Sequence, residues 1–61
     1  TEREEEVLTE VARGKTNAEI GENLFISQST VKTHVASLMT KLQARNRVEV
    51  VIWAYETGRV G

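Results

Sequence analysis

The side chains best able to do chemistry lie between Ser27 and Thr40. Ser27, Gln28, Ser29, Thr30, Thr33 and Thr40 carry hydroxyl or amide groups, Lys32 a cation, and His34 the chain's only imidazole. Catalysis would need pairings that this set does not offer. The 61 residues contain no Cys and no Asp, and their nine acidic groups are scattered Glu, so no nucleophile triad, acid–base pair or metal set can be assembled around one His. The chain therefore reads as a non-enzyme without cofactor or metal. What these residues can do is hydrogen-bond, and short donors and acceptors beside a single cation suit phosphate oxygens and base edges.

Positioning them requires helices. There is no proline, and capping pairs recur: Thr1 with Glu4, Thr16 with Glu19 and, in looser form, Asn46 with Glu49 each place a capping side chain three residues before a Glu. Ser27 is a plain N-cap candidate, because Thr30 occupies its third-following position. These starts predict an all-α, four-helix domain over residues 1–61, with helices at about 2–13, 17–24, 28–43 and 47–57. Gly14 is available as a left-handed C-cap to the first helix, whose Glu cluster reads as a solvated face that suits the helix dipole. Gly21 falls in the middle of the second helix, where glycine costs about 1 kcal/mol relative to alanine, and predicts close approach of another helix.

In the third helix Val31, Val35, Leu38 and Leu42 recur at helical spacing with Met39 beside them, which defines an inner face. The opposite face carries Ser29, Lys32, Thr33, Ala36, Thr40 and Gln43. An ordinary solvent face carries long charged side chains in pairs. Short side chains with one lysine let a backbone approach a surface closely, as a helix in the major groove must. A short helix, the corner at Phe25, Ile26 and Ser27, and a longer second helix together form a helix-turn-helix pattern.

Size and charge bound the reading further. A chain this short buries about 60% of the surface its unfolded form exposes, so a deep cleft is not expected. The net charge is −1, but it is divided: residues 1–30 hold seven Glu against three cations, and residues 31–61 five Lys or Arg against two Glu. The front is acidic and the back basic. No apolar run approaches the roughly 20 residues that cross a bilayer, and the Glu-rich start is not a signal peptide, so a cytoplasmic location without membrane contact is expected. The absence of an initiator Met predicts a module cut from a larger protein.

The stretch TNAEIGENLFISQSTVKTHVASLMTKL at 16–42, with TEREEEVLTEVARGK before it and RNRVEVV after it, resembles the LuxR/NarL family of transcription regulators along nearly its whole length. The resemblance implies a tetrahelical DNA-binding domain whose third helix enters the major groove and whose fourth pairs two copies on double-stranded DNA. It places Ser29, Lys32, Thr33 and Ala36 toward bases, and Ser27, Gln28, Thr30 and His34 at phosphates or their supports. Lys41, Arg45 and Arg47 read as further backbone-contacting cations. Ala36 departs from relatives that carry a longer polar residue, leaving contact with a thymine methyl as its option. The resemblance also implies a missing N-terminal regulatory domain, of the receiver type found in two-component response regulators, and RNA polymerase as a further partner.

The fourth helix is apolar around most of its circumference. Val50, Val51 and Ala54 suit packing on the first and third helices, which leaves Val48, Ile52 and Tyr55 or Trp53 unexplained and predicts a homodimer through this surface. Two rival readings remain. A sigma-factor promoter-recognition segment shares the EI, IS and TVK pattern but normally lacks an apolar helix after it. A protein-interaction module would use the fourth helix without DNA contact.

Overall fold

The computed structural model describes residues 2–58, so the predicted Thr1 cap lies outside the described residues. Four helices follow one another: α1 (Glu2–Ala12), α2 (Asn17–Leu24), α3 (Gln28–Leu42) and α4 (Arg47–Glu56). The core is formed by Val7, Leu8, Val11 and Ala12 of α1, Ile20 of α2, Val31, Val35 and Leu38 of α3, and Val50 and Ala54 of α4. Leu24, Ile26, Met39, Leu42, Val51 and Trp53 close over it from the sides. Trp53 thus belongs to the domain's own packing and leaves the exposed stripe of α4 to Val48, Ile52 and Tyr55.

Local chemistry sets the helix ends. Thr16 and Glu19 form a reciprocal capping box: the Glu19 amide donates to Thr16 Oγ1 and the Thr16 amide donates to Glu19 Oε1. Ser27 caps α3 by accepting from the Thr30 amide at 3.1 Å. The Asn46 cap is real but its box is displaced. Asn46 Oδ1 accepts from the Glu49 amide, while the Glu49 carboxylate takes the Arg45 amide, one residue earlier than a capping box requires. At the C-terminal ends the structure shortens three of the predicted helices by one residue. Gly14 takes φ +80° after α1, and Thr57 turns its hydroxyl back to the Trp53 carbonyl after α4. Gln43 adopts φ 56°, outside the helix it was expected to finish, because its amide and that of Ala44 turn back to the Thr40 and Met39 carbonyls.

The corner between α2 and α3 decides how the third helix is presented. Phe25 adopts the left-handed conformation, φ 59° and ψ 43°, and the Ile26 amide donates to the Gly21 carbonyl at 3.0 Å. The chain therefore folds back tightly over Gly21. A Cβ added there would lie 2.7 Å from the Ile26 carbonyl oxygen. The close approach expected of another helix is made instead by the corner's own backbone, which cannot yield without reorienting α3. Gly21→Ala is accordingly expected to lower stability by about 1–3 kcal/mol, despite alanine's better helix propensity. Urea unfolding followed by circular dichroism measures this, and an unchanged midpoint would remove the contact from the account.

Candidate nucleic-acid interface

The exposed side of α3 is laid out as its sequence predicts. Ser27, Gln28, Ser29, Thr30, Lys32, Thr33 and Ala36 are all exposed, and His34 is half-buried on the shoulder of the helix. At the start of α3, Ser27 Oγ and Thr30 Oγ1 lie 2.9 Å apart and share one hydrogen bond. Two hydroxyls in one bond leave a proton over for an outside acceptor. The amides of Gln28 and Ser29 lie in the first turn, where no helical carbonyl can reach them, and the helix dipole adds partial positive charge at that end. The arrangement can accept an anion, which is what the predicted phosphate set requires.

The predicted cations divide into two groups. Lys32 and Arg45 are exposed, and the ion pairs among the described residues use Arg3, Arg13 and Lys41 instead. Lys41 reaches Glu4 of α1, while keeping a side chain 58% exposed. Arg47 is engaged within the domain as well. Its guanidinium donates to Asn17 Oδ1 and to the Lys15 carbonyl, which ties the start of α4 to the first residue of α2 and the turn before it. It is a positioning residue, half-buried within the domain.

The acidic groups also proved less uniform than a solvated face. Glu4 accepts hydrogen bonds from Ser37 Oγ at 2.8 Å and from Lys41 Nζ, so it clamps the C-terminal half of α3 onto α1. Glu10 is buried and accepts from Asn23 Nδ2 at 2.8 Å, which joins α1 to α2. Sequence reasoning missed both clamps, because 33 and 37 residues separate Glu4 from its partners and 13 separate Glu10 from Asn23, and no periodicity reports a contact between helices. Glu2, Glu5 and Glu6 remain exposed, as expected.

On α4, Val48, Ile52 and Tyr55 are 65%, 50% and 56% exposed and lie at helical spacing on one side. Phe25, at the corner, is 93% exposed. Beside Ile52 a shallow groove is lined by Leu42, Ala44, Trp53, Glu49 and Glu56. No helix of the described residues is long and apolar enough to cross a membrane.

The Glu4 clamp has a pH signature. The Lys41 hydrogen bond, seconded by Ser37, pulls the Glu4 carboxyl down from an ordinary 4.5 to about 2. A carboxyl depressed in the folded state stabilises fully above its unfolded pKa and loses that contribution as pH falls toward the folded value. Glu19 is lowered in the same direction by the Thr16 amide. The stability gap between the wild type and Glu4→Gln should thus be widest above pH about 5 and close between pH about 4.5 and 2. Thermal melts across that range test the expectation, and a gap independent of pH would show that Glu4 acts by packing alone.

Comparison with known proteins agrees with this geometry. The model of the family described as bacterial regulatory proteins, luxR family, matches residues 1–54. The transcriptional regulatory protein YhcZ of Bacillus subtilis is 52% identical over 54 residues, covering 88% of this chain and 25% of that protein. LiaR of the same organism, also a transcriptional regulatory protein, is 47% identical over 55 residues, 90% of this chain and 26% of its own length. The response regulator protein VraR of Staphylococcus aureus is 43% identical over 56 residues, 92% of this chain and 27% of its own. The chain thus spans about a quarter of the length of the curated relatives it matches. With its helix-turn-helix architecture and a family match that covers all but its last seven residues, the chain belongs to the luxR family of bacterial regulatory proteins, as a LuxR-type DNA-binding domain.

Proposed function

We propose that α3 enters the major groove of double-stranded DNA and that two copies of the domain pair through α4 on a two-part site. The observation that carries the groove reading is the outer face of α3: exposed short side chains, one unpaired cation in Lys32, and a capped N-terminus with a hydroxyl proton to spare. Ser29, Lys32, Thr33 and Ala36 face the bases. Ser27, Gln28, Thr30 and His34 meet phosphates, Arg45 and Lys41 add charge from the flank, and Arg47 holds α4 in register behind them.

In the whole protein this domain is the output of a cytoplasmic response regulator that controls transcription and meets RNA polymerase at its promoter, with a receiver-like domain as its control. The response-regulator name of VraR and the quarter-length match support that extension. The exposed stripe of Val48, Ile52 and Tyr55 supports the pairing, since apolar side chains spaced along one face gain by mutual burial.

Lys32→Ala is expected to reduce specific affinity by one to two orders of magnitude, in line with about 1–3 kcal/mol for a good base contact, without changing the melting temperature. Titration at several salt concentrations reads this out. Wild-type binding should weaken steeply with salt, and no binding at low salt would dismiss the DNA reading. For the pairing, Ile52→Glu should give a folded monomer by sedimentation on a two-part duplex, where the wild type binds as two copies. Two copies bound with the variant would place the contact elsewhere.

A further inference from the structure

The threonines of the recognition face do not present their hydroxyl protons outward. Thr33 Oγ1 donates to the Ser29 carbonyl at 3.1 Å, and Thr40 Oγ1 donates to the Ala36 carbonyl at 3.1 Å. Thr33, Ala36 and Thr40 are all exposed. A hydroxyl has one proton, so a threonine that returns it to its own helix shows the surroundings a γ-methyl and oxygen lone pairs but no donor. On a helix of 3.6 residues per turn, positions 33, 36 and 40 fall within an arc of about 60° and along about 10 Å of axis. With both hydroxyls turned back, the methyl groups at these positions line one side of a face that sequence composition alone describes as polar.

A strip of this kind selects among bases. The N7 and O6 atoms of guanine and N7 of adenine require donors, which these three positions do not offer, and the amines of adenine N6 and cytosine N4 require an acceptor, which neither Ala36 nor a threonine methyl supplies. Among major-groove features, the 5-methyl of thymine is the one that a methyl group complements. We propose that Thr33 and Ala36 read thymine by methyl contact, with Thr40 extending the strip, and that Lys32 supplies the face's charged donor. The inference rests on the major-groove reading of α3. It goes beyond that reading, and beyond the thymine contact already open to Ala36, by making the methyl of Thr33, not its hydroxyl, the reading group and by extending the strip to Thr40.

The experiment begins with selection of duplexes from a random pool by the protein. The enriched duplex is then resynthesised with each thymine in turn replaced by deoxyuracil, which removes the 5-methyl alone. Burial of one methyl corresponds to about fourfold in Kd. At least one thymine of each half-site should show a loss of about that size. The loss should persist in Thr33→Val, which keeps the methyl, and vanish at one thymine in Thr33→Ser, which keeps only the hydroxyl. Equal affinity for thymine and deoxyuracil duplexes overturns the inference and leaves DNA binding intact. So does a deoxyuracil loss that is identical in the wild type and Thr33→Ser, or a Thr33→Val variant that binds far worse than Thr33→Ser. A pool without any enriched duplex overturns the DNA reading itself, and this inference with it.

Discussion

The backbone contact between Gly21 and Ile26 is the constraint on which the rest of the domain depends. The Gly21 carbonyl receives the Ile26 amide, and the Ile26 carbonyl returns to within 2.7 Å of where a Cβ on Gly21 would stand. Both atoms belong to the main chain, so the distance cannot be relieved by a side-chain rotamer. It fixes the direction in which the chain leaves α2, and with it the axis of α3. Phe25 bears the cost. It occupies the left-handed region that favours glycine, with its ring 93% exposed, so no packing of its own offsets a strain of about 1–2 kcal/mol. The surrounding core, with Ile20 and Val31 fully buried on either side of the corner, holds it there.

Once the corner is set, charge is spent on holding the frame and sparing the face. Glu4, Glu10, Glu19 and Glu49 are each engaged by an amide, a hydroxyl or a cation within the domain. Arg47 and Lys41 are engaged in turn. The net charge of −1 therefore says little about the field beside α3, where Lys32 stands without an acidic partner and the helix start adds its dipole. A modestly acidic domain can present a locally positive surface when its acids are engaged within the frame, as Glu4, Glu10, Glu19 and Glu49 are.

The fold was legible in the sequence wherever the signal was local. Capping side chains located α2, α3 and α4 and apolar spacing located α1, since a cap acts within three residues and a helical face repeats within a turn. The inner and outer faces of α3 and the exposed stripe of α4 followed from the same periodicity. What escaped was of two kinds. Long-range clamps such as Glu4 with Ser37 and Lys41, or Arg47 with Asn17, depend on how helices cross, and no spacing encodes that. Hydroxyl direction escaped as well: a threonine reads as polar in sequence, while the rotamers of Thr33 and Thr40 turn the polarity inward.

The two surfaces of α4 explain how so small a domain could act through pairing. Val50 and Ala54 are wholly committed to its own core, so the helix is held in place before any partner arrives. Val48, Ile52 and Tyr55 remain exposed on the other side, and already half-exposed side chains can bury only part of the roughly 1.5–3 kcal/mol available to a large apolar residue. In the pairing we propose, a few such partial gains make a weak dimer in free solution. On DNA the balance changes, because the first bound copy holds the second site at high effective concentration and the same small contact then counts fully. In the same proposal, a face with one cation and a strip of methyl groups binds weakly alone, and selectivity arises when two such faces are held one helical turn apart.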